Sequence, residues 1–296
     1  MPRGMVTRTE GLTVWVDCGG GEIPCVLRGR LKKRQLHATS LVVVGDLVEV
    51  EAGPGQTGVV AAIAPRRSEL SRPGFRGLPH VIAANLDQVV VVQSARQPAY
   101  RGRLVDRFLV TAARGKMGAL VVVNKCDLEA EAVIRSWVRP LEDNRVRVIL
   151  TSALDGRGLD ELRQAIAGRV SVLAGQSGVG KSSLLNAMYP GSAAATGGVS
   201  AASGKGRHTT SSSRLHALPD GGYLVDTPGI RTLALEDEDD GLIAGVFPEI
   251  QELAADCKFR DCTHSHEPRC AVKQAVERGD IDPSRYESYL RMLKNR

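Results

Sequence analysis

Val170-Ser171-Val172-Leu173-Ala174-Gly175-Gln176-Ser177-Gly178-Val179-Gly180-Lys181-Ser182-Ser183 passes from an apolar run of strand length into a glycine-rich turn, and Gly175–Ser182 fits G-x-x-x-x-G-K-[ST]. Such glycines let backbone N–H groups wrap phosphate oxygens, aided by the N-terminus of a helix expected over Ser183–Met188. Lys181 is suited to the β- and γ-phosphates and the Ser182 hydroxyl to Mg²⁺. Strand–loop–helix is the grammar of a parallel α/β sheet, and the chain around it conforms. Leu86–Gln93, Ala119–Val123 and Val146–Leu150 read as strands alternating with helices at Arg103–Ala113, Glu129–Val138 and Leu159–Ile166. Leu215–Leu218 and Tyr223–Val225 add two more strands. The expectation is an α/β domain with a mostly parallel sheet buried on both faces.

Three further loops follow strands. Asn124-Lys125-Cys126-Asp127 matches NKxD. A carboxylate at Asp127 can accept from guanine N1–H and its exocyclic amine, donors that adenine lacks in that arrangement, so the wrong base strands a buried charge. Thr151-Ser152-Ala153 resembles the partner loop in which the Ala backbone N–H contacts guanine O6; an ordinary strand-to-helix turn is the alternative for either motif. Asp226-Thr227-Pro228-Gly229 matches DxxG, with Asp226 placed to hold Mg²⁺ through water and the Gly229 N–H to sense the γ-phosphate; a plain type I turn is the alternative. The order is unusual. GTP-binding domains ordinarily run phosphate loop, switch loops, base-recognition loops, whereas here NKxD and TSA come first. A compact domain with neighbouring termini tolerates such a circular permutation, because each strand keeps its spatial neighbours. DTPG then becomes the last element of the domain, joined directly to the C-terminal segment.

The remaining sequence frames this domain. At 296 residues the chain has room for two or three domains, and 43% hydrophobic with 24% charged residues excludes a disordered polymer. No apolar run reaches membrane-spanning length, and the N-terminus has no signal-peptide core, so a cytoplasmic protein without a membrane partner is expected. The net charge of +6 splits into +3 over residues 1–67, +8 over 68–232 and −5 over 233–296, so a polyanion meets the first two segments first. Thr13–Asp17, Glu22–Leu27, Asp46–Glu51 and Thr57–Ile63 read as short strands broken by glycines, a pattern suggesting a small barrel such as an OB-fold. Between the second and third lie Arg28, Arg30, Lys32, Lys33 and Arg34, either a solvated loop or a contact to nucleic-acid backbone; aromatics are too few to argue for base stacking there. Residues 190–206, rich in Gly, Ala and Ser, read as a loop, and 242–296 as helices around a cysteine cluster. Cys257, Cys262 and Cys270 crowd together in a way that favours metal over disulfide in a reducing compartment, while Cys18, Cys25 and Cys126 read as structural. Glu236–Asp240 is an acidic run, read as a solvated connector or as electrostatic exclusion of RNA.

A barrel-like N-terminus, the order NKxD–TSA–GxxxxGKS–DTPG and a C-terminal Cys/His cluster together resemble the circularly permuted small ribosomal subunit biogenesis GTPases, and the resemblance covers essentially the whole chain. It implies an OB-fold over 1–67, a permuted P-loop GTPase domain over 68–232 and a mostly helical zinc domain over 233–296. It also implies GTP/GDP and Mg²⁺ as cofactors, and the small ribosomal subunit with its rRNA as partner of a monomeric enzyme. GTP hydrolysis would be stimulated by the subunit late in its maturation. Asn124, Lys125, Asp127, Ser152, Ala153, Gly175–Ser183, Asp226 and Gly229 become the nucleotide site. Cys257, Cys262, His264 and Cys270 become a closed tetrahedral set for one structural zinc, the family pattern favouring His264 over His266. Ile230 stands where related domains often carry a water-orienting Gln, so another group must orient water. In Gly206-Arg207-His208-Thr209-Thr210 the resemblance assigns Thr210 to Mg²⁺, with Thr209 the alternative, and His208 to catalysis, with an exposed loop histidine as the bland reading. Arg207 and Lys205 are left open between RNA phosphate and transition-state charge. Two other classes compete: a GTP-gated binding module in which hydrolysis is only leakage, and an ATP-using phosphate-loop protein, against which Asp127 argues.

Overall fold

A computed structural model of the chain describes residues 2–29, 31, 41–53, 55, 57–73, 79–192, 213–226 and 240–294. Its framework is one 11-stranded sheet that is open at one end and curls into a barrel at the other. The open part comprises β8 (Gln88–Ser94), β9 (Gly118–Asn124), β10 (Arg147–Leu150), β11 (Val170–Ala174), β12 (Arg214–Ala217) and β13 (Tyr223–Asp226), in the order β10-β9-β8-β11-β13-β12. All neighbours are parallel except β12, which runs antiparallel to β13. Alternate residues of β8 feed opposite faces, Val89 and Val91 entering one apolar cluster and Val90 and Val92 the other. That is why the strand reads as an unbroken apolar run, as a strand covered on both faces must.

Helix α1 (Gly102–Arg114) covers one face with Val105, Phe108, Leu109 and Ala112. The other face lies under α3 (Leu159–Ile166) and α4 (Lys181–Met188) through Leu162, Ile166, Leu184 and Leu185. Between them in sequence, α2 (Glu131–Asp143) starts two residues later than its hydrophobic spacing suggests and runs on through Pro140.

The barrel closes in the order β1-β2-β3-β5-β4, with β4 returning to β1. Its strands are β1 (Arg3–Glu10), β2 (Thr13–Asp17), β3 (Glu22–Leu27), β4 (Leu47–Ala52) and β5 (Gly58–Ile63). Four of the five follow the sequence reading; β1 does not appear in it. Arg3-Gly4-Met5-Val6-Thr7-Arg8-Thr9-Glu10 carries only two apolar side chains, so its alternation is weak, and its strand state comes from pairing with β2 and β4 around a bulge at Val6/Arg8. The same strand meets β12 at Arg8↔Arg214 and so joins the barrel to the open sheet. The Arg8 guanidinium lies 4.2 Å over the Trp15 ring and 3.0 Å from Glu10, contacts that offset the like charge of Arg214. A hairpin of β6 (Glu69–Pro73) and β7 (Pro79–Ala84), also absent from the sequence reading, connects the barrel to β8.

After residue 239 come α5 (Asp240–Gly245), α6 (Pro248–Ala254), α7 (Ala271–Arg278) and α8 (Pro283–Lys294). Phe247, Ile250, Val272, Ala275 and Tyr289 form their core together with Val110 of α1, so this unit is packed onto the open sheet's own helix layer. Among the described residues no helix is long and apolar enough to cross a membrane.

Candidate nucleotide site and metal centre

The phosphate loop leaves β11 and enters α4, and two of its glycines are required by contact. A Cβ on Gly175 (φ 147°) would stand 2.2 Å from the Val92 carbonyl oxygen, and one on Gly180 (φ 94°) would stand 2.3 Å from Asn124 Nδ2. Lys181 closes the loop, its Nζ donating to the carbonyls of Gly175 and Gln176 at 2.8 Å each. Ser177 and Gly178 are exposed, Gln176 and Ser182 half-buried, Val179 buried, and Ser183 exposed on the first turn of α4.

The loop after β9 arrives from 55 residues earlier in the chain and is fastened to this one. Buried Asn124 donates from Nδ2 to the Val179 carbonyl at 2.9 Å. Its Oδ1 accepts from Thr151 Oγ1 at 3.4 Å and from the Ala153 N–H at 3.3 Å. One amide therefore ties together the loops after β9, β10 and β11. Lys125, held in a left-handed conformation (φ 59°), donates from Nζ to the Gly178 carbonyl at 2.7 Å and to the carbonyl of Gln97. Asp127 sits exposed on the short 3-10 turn Cys126–Leu128. Ser152 is buried, and its Oγ accepts from the N–H groups of Leu154 and Asp155 at 3.3 Å, shaping the second base-side loop.

Asp226 ends β13 beside β11, and burial pushes its carboxyl up to about 6. A half-buried carboxylate whose main perturbation is lost hydration gains from a nearby cation. Ser182 and Asp226 thus supply oxygen donors of the kind Mg²⁺ takes at a phosphate site. Thr227–Gly229, Ile230, Lys205, Arg207, His208, Thr209, Thr210 and the acidic residues 236–239 lie outside the described residues, as do Arg30, Lys32, Lys33 and Arg34. Two features of the site escape sequence reasoning. The loop after β8 meets the loop after β9 through the Gln97 carbonyl, which accepts from Lys125 Nζ, and the phosphate loop through Pro98, whose Cδ would lie 3.6 Å from a Cβ on Gly178. Leu154, beside Ala153, is a large apolar side chain left 86% exposed. Only its position after TSA could have flagged it.

Cys257, Cys262, His264 and Cys270 bring four ligand atoms within 4.8 Å of one another. Cys257 Sγ and Cys270 Sγ are 3.8 Å apart, and each lies 3.5 Å from His264 Nδ1. Zinc–sulfur bonds of about 2.3 Å in a tetrahedron give S···S edges of about 3.8 Å, so the donor set fits one zinc ion with no position left for water. His264 is turned into the cluster by a left-handed backbone (φ 61°) and by Tyr286, whose hydroxyl donates to its carbonyl. The rival His266 is exposed and bonds Ser265 Oγ instead.

The sequence model of the RsgA GTPase family matches residues 63–236. A curated protein of Gemmatimonas aurantiaca named small ribosomal subunit biogenesis GTPase RsgA is 42% identical over 97% of both chains. One of the same name from Pseudomonas aeruginosa is 41% identical over 98% of this chain and 84% of its own. Among solved structures, YjeQ from Thermotoga maritima superposes with a TM-score of 0.78 at 36% identity, covering 98% of this chain and 96% of the other. YloQ, described as a circularly permuted GTPase, superposes with a TM-score of 0.76 at 33% identity, covering 99% and 94%.

Proposed function

Because this chain belongs to the RsgA GTPase family and is a GTP hydrolase, we propose that it hydrolyses GTP to GDP and phosphate on the maturing small ribosomal subunit, which accelerates the reaction. The observation that supports the reading is the triple fastening by Asn124, which ties the loops after β9, β10 and β11 to one another although they are far apart in the chain. Near full-length identity to proteins named for small-subunit biogenesis supplies the partner class. The ATP-using alternative is set aside by the family assignment.

In this proposal Asn124, Lys125, Asp127, Ser152 and Ala153 bind the guanine side, and Gly175–Ser183 cradle the phosphates. Gly229 senses the γ-phosphate. Ser182 and Thr210 hold Mg²⁺, with Asp226 acting through water; the ion, when bound, neutralises charge growing between the β- and γ-phosphates. Ile230 can neither donate nor accept a hydrogen bond, so intrinsic turnover is slow until the subunit orders the loop carrying His208, which then orients water. The three domains are taken as 1–67, 68–232 and 233–296. The barrel and its basic loop contact rRNA, the zinc centre is structural, and the protein works as a cytoplasmic monomer.

The test is single-turnover GTP hydrolysis with and without small subunits. Strong stimulation is expected, falling by ~10²–10⁴ in His208→Ala; no stimulation of the wild type leaves only the GTP-gated binding module. Asp127→Asn is expected to move preference from guanine to xanthine nucleotides, and unchanged GTP affinity in that variant removes Asp127 from base recognition.

A further inference from the structure

A half-open cleft of about 970 Å³ runs between α1, α2 and α8, and its lining includes Gln176 of the phosphate loop. That size lies at the upper end of the range for ligand sites, roughly 300–1,000 Å³. Two half-buried aromatic rings line it. Tyr100 and Trp137 are stacked with centroids 5.6 Å apart and planes 14° from parallel. The Tyr100 hydroxyl is buried and has no hydrogen-bond partner among the described residues.

Among the described residues the charges lining the cleft do not cancel. Asp106 is buried against Arg285. Asp282 accepts from the backbone N–H of Ser284 at 2.8 Å and from its hydroxyl. Glu287 is shared by Arg103 at 2.7 Å and Arg291 at 2.6 Å. Arg101 and Arg107, both exposed and both lining the cleft, have no acidic partner among the described residues. The cleft therefore presents stacked aromatic rings beside two guanidinium groups that have no acidic partner among the described residues.

We propose that this cleft docks single-stranded RNA, a base stacking on the Tyr100–Trp137 pair while Arg101 and Arg107 hold the flanking phosphates. Unpaired bases are recognised by aromatic faces and arginines, and stacking tolerates any base because each has a π-face. An acidic peptide satisfies the arginines but leaves the stacked rings unused. The proposal rests on the reading of the small subunit as partner and assigns part of that contact to the α1–α8 cleft rather than to the barrel. Because Gln176 belongs to both the cleft and the phosphate loop, RNA seated here adjoins the nucleotide pocket.

The chain has two tryptophans, so Trp15→Phe leaves Trp137 as the sole indole reporter in the full-length protein. Titration with a single-stranded oligoadenylate is expected to quench Trp137 saturably. Polyphosphate, which lacks bases, and polyglutamate are expected not to. Arg101→Ala/Arg107→Ala is expected to weaken the quench about tenfold and to lower the salt slope of binding by about 1.4, the value for two contacts to a single strand. Basal GTP hydrolysis, unchanged in that double variant, certifies its fold. Absence of quenching by RNA, or equal quenching by polyglutamate, overturns the proposal. Small-subunit stimulation of the wild type is measured in parallel: if it is present while Trp137 is silent, only the cleft assignment fails, and if it is absent the functional reading fails with it.

Discussion

Two seams attach other units to the open sheet, and they are built from different materials. The barrel is joined through backbone, β1 pairing with β12, and through polar contacts such as Tyr223 Oη donating to Asp17 Oδ2 at 2.8 Å and Asn85 Nδ2 donating to the Gly45 carbonyl at 2.8 Å. The C-terminal helices are joined through side chains. Arg285 of α8, 4% exposed, pairs with Asp106 of α1, reaches Glu249 at 2.8 Å and the Val246 carbonyl at 2.9 Å, and lies 4.1 Å over the Phe247 ring. Backbone pairing is indifferent to most side-chain changes, whereas a buried charge needs its partner. The second seam is therefore the brittle one, and beneath it stands a small core organised around four metal ligands.

The C-terminal unit should be most sensitive to loss of its metal. Stripping zinc with a strong chelator, or Cys270→Ser, should remove an apparent ~10–16 kcal/mol of binding that is also folding free energy. Hydrogen exchange should then show loss of protection across α6–α8 while the barrel and β8–β11 stay protected; retained protection in α6–α8 would show that their apolar core suffices without metal. Next in size is Asp106→Asn, which leaves Arg285 short of a buried charge partner and should cost about 3–5 kcal/mol in urea unfolding. Asp106→Leu combined with Arg285→Met should recover most of that loss, and a neutral single variant would mean that packing around Val110 holds this seam. The smallest effect belongs to the barrel seam, where Tyr223→Phe should cost about 1 kcal/mol. The Gly19 N–H and the Tyr223 hydroxyl hold the Asp17 carboxyl below its ordinary value of 3.8. A carboxyl lowered on folding stabilises the native state above its unfolded pKa, and that contribution is lost as pH falls through the lower native value. Acid unfolding of Tyr223→Phe should accordingly begin at higher pH than in the wild type. An identical acid limb would show that the Tyr223–Asp17 contact carries no stability.

Much of the fold was legible because its signals are local. The apolar runs of β8, β9 and β11 and the spacing of α3 lie within a few residues of each other in sequence, and Leu159–Ile166 matches to the residue. β1 was not legible, since its partners are three separate strands and its own residues alternate poorly. In the candidate site the motif residues could be named from the chain, including His264 once the resemblance had favoured it over His266. The Gln97 carbonyl that takes the Lys125 amine carries no motif, because a backbone acceptor leaves no trace in residue identity.

From the chain alone come the four loop motifs, their permuted order and the Cys/His cluster. Each motif is a short run whose side-chain types and glycines act within the run. Packing alone brings Asn124, at the end of β9, into contact with the loops after β10 and β11, Arg285 to Asp106 across 179 residues, and Tyr100 and Trp137 into the cleft that Arg101 and Arg107 also line. These are meetings between distant segments, fixed by strand order and helix packing, and no local pattern encodes them.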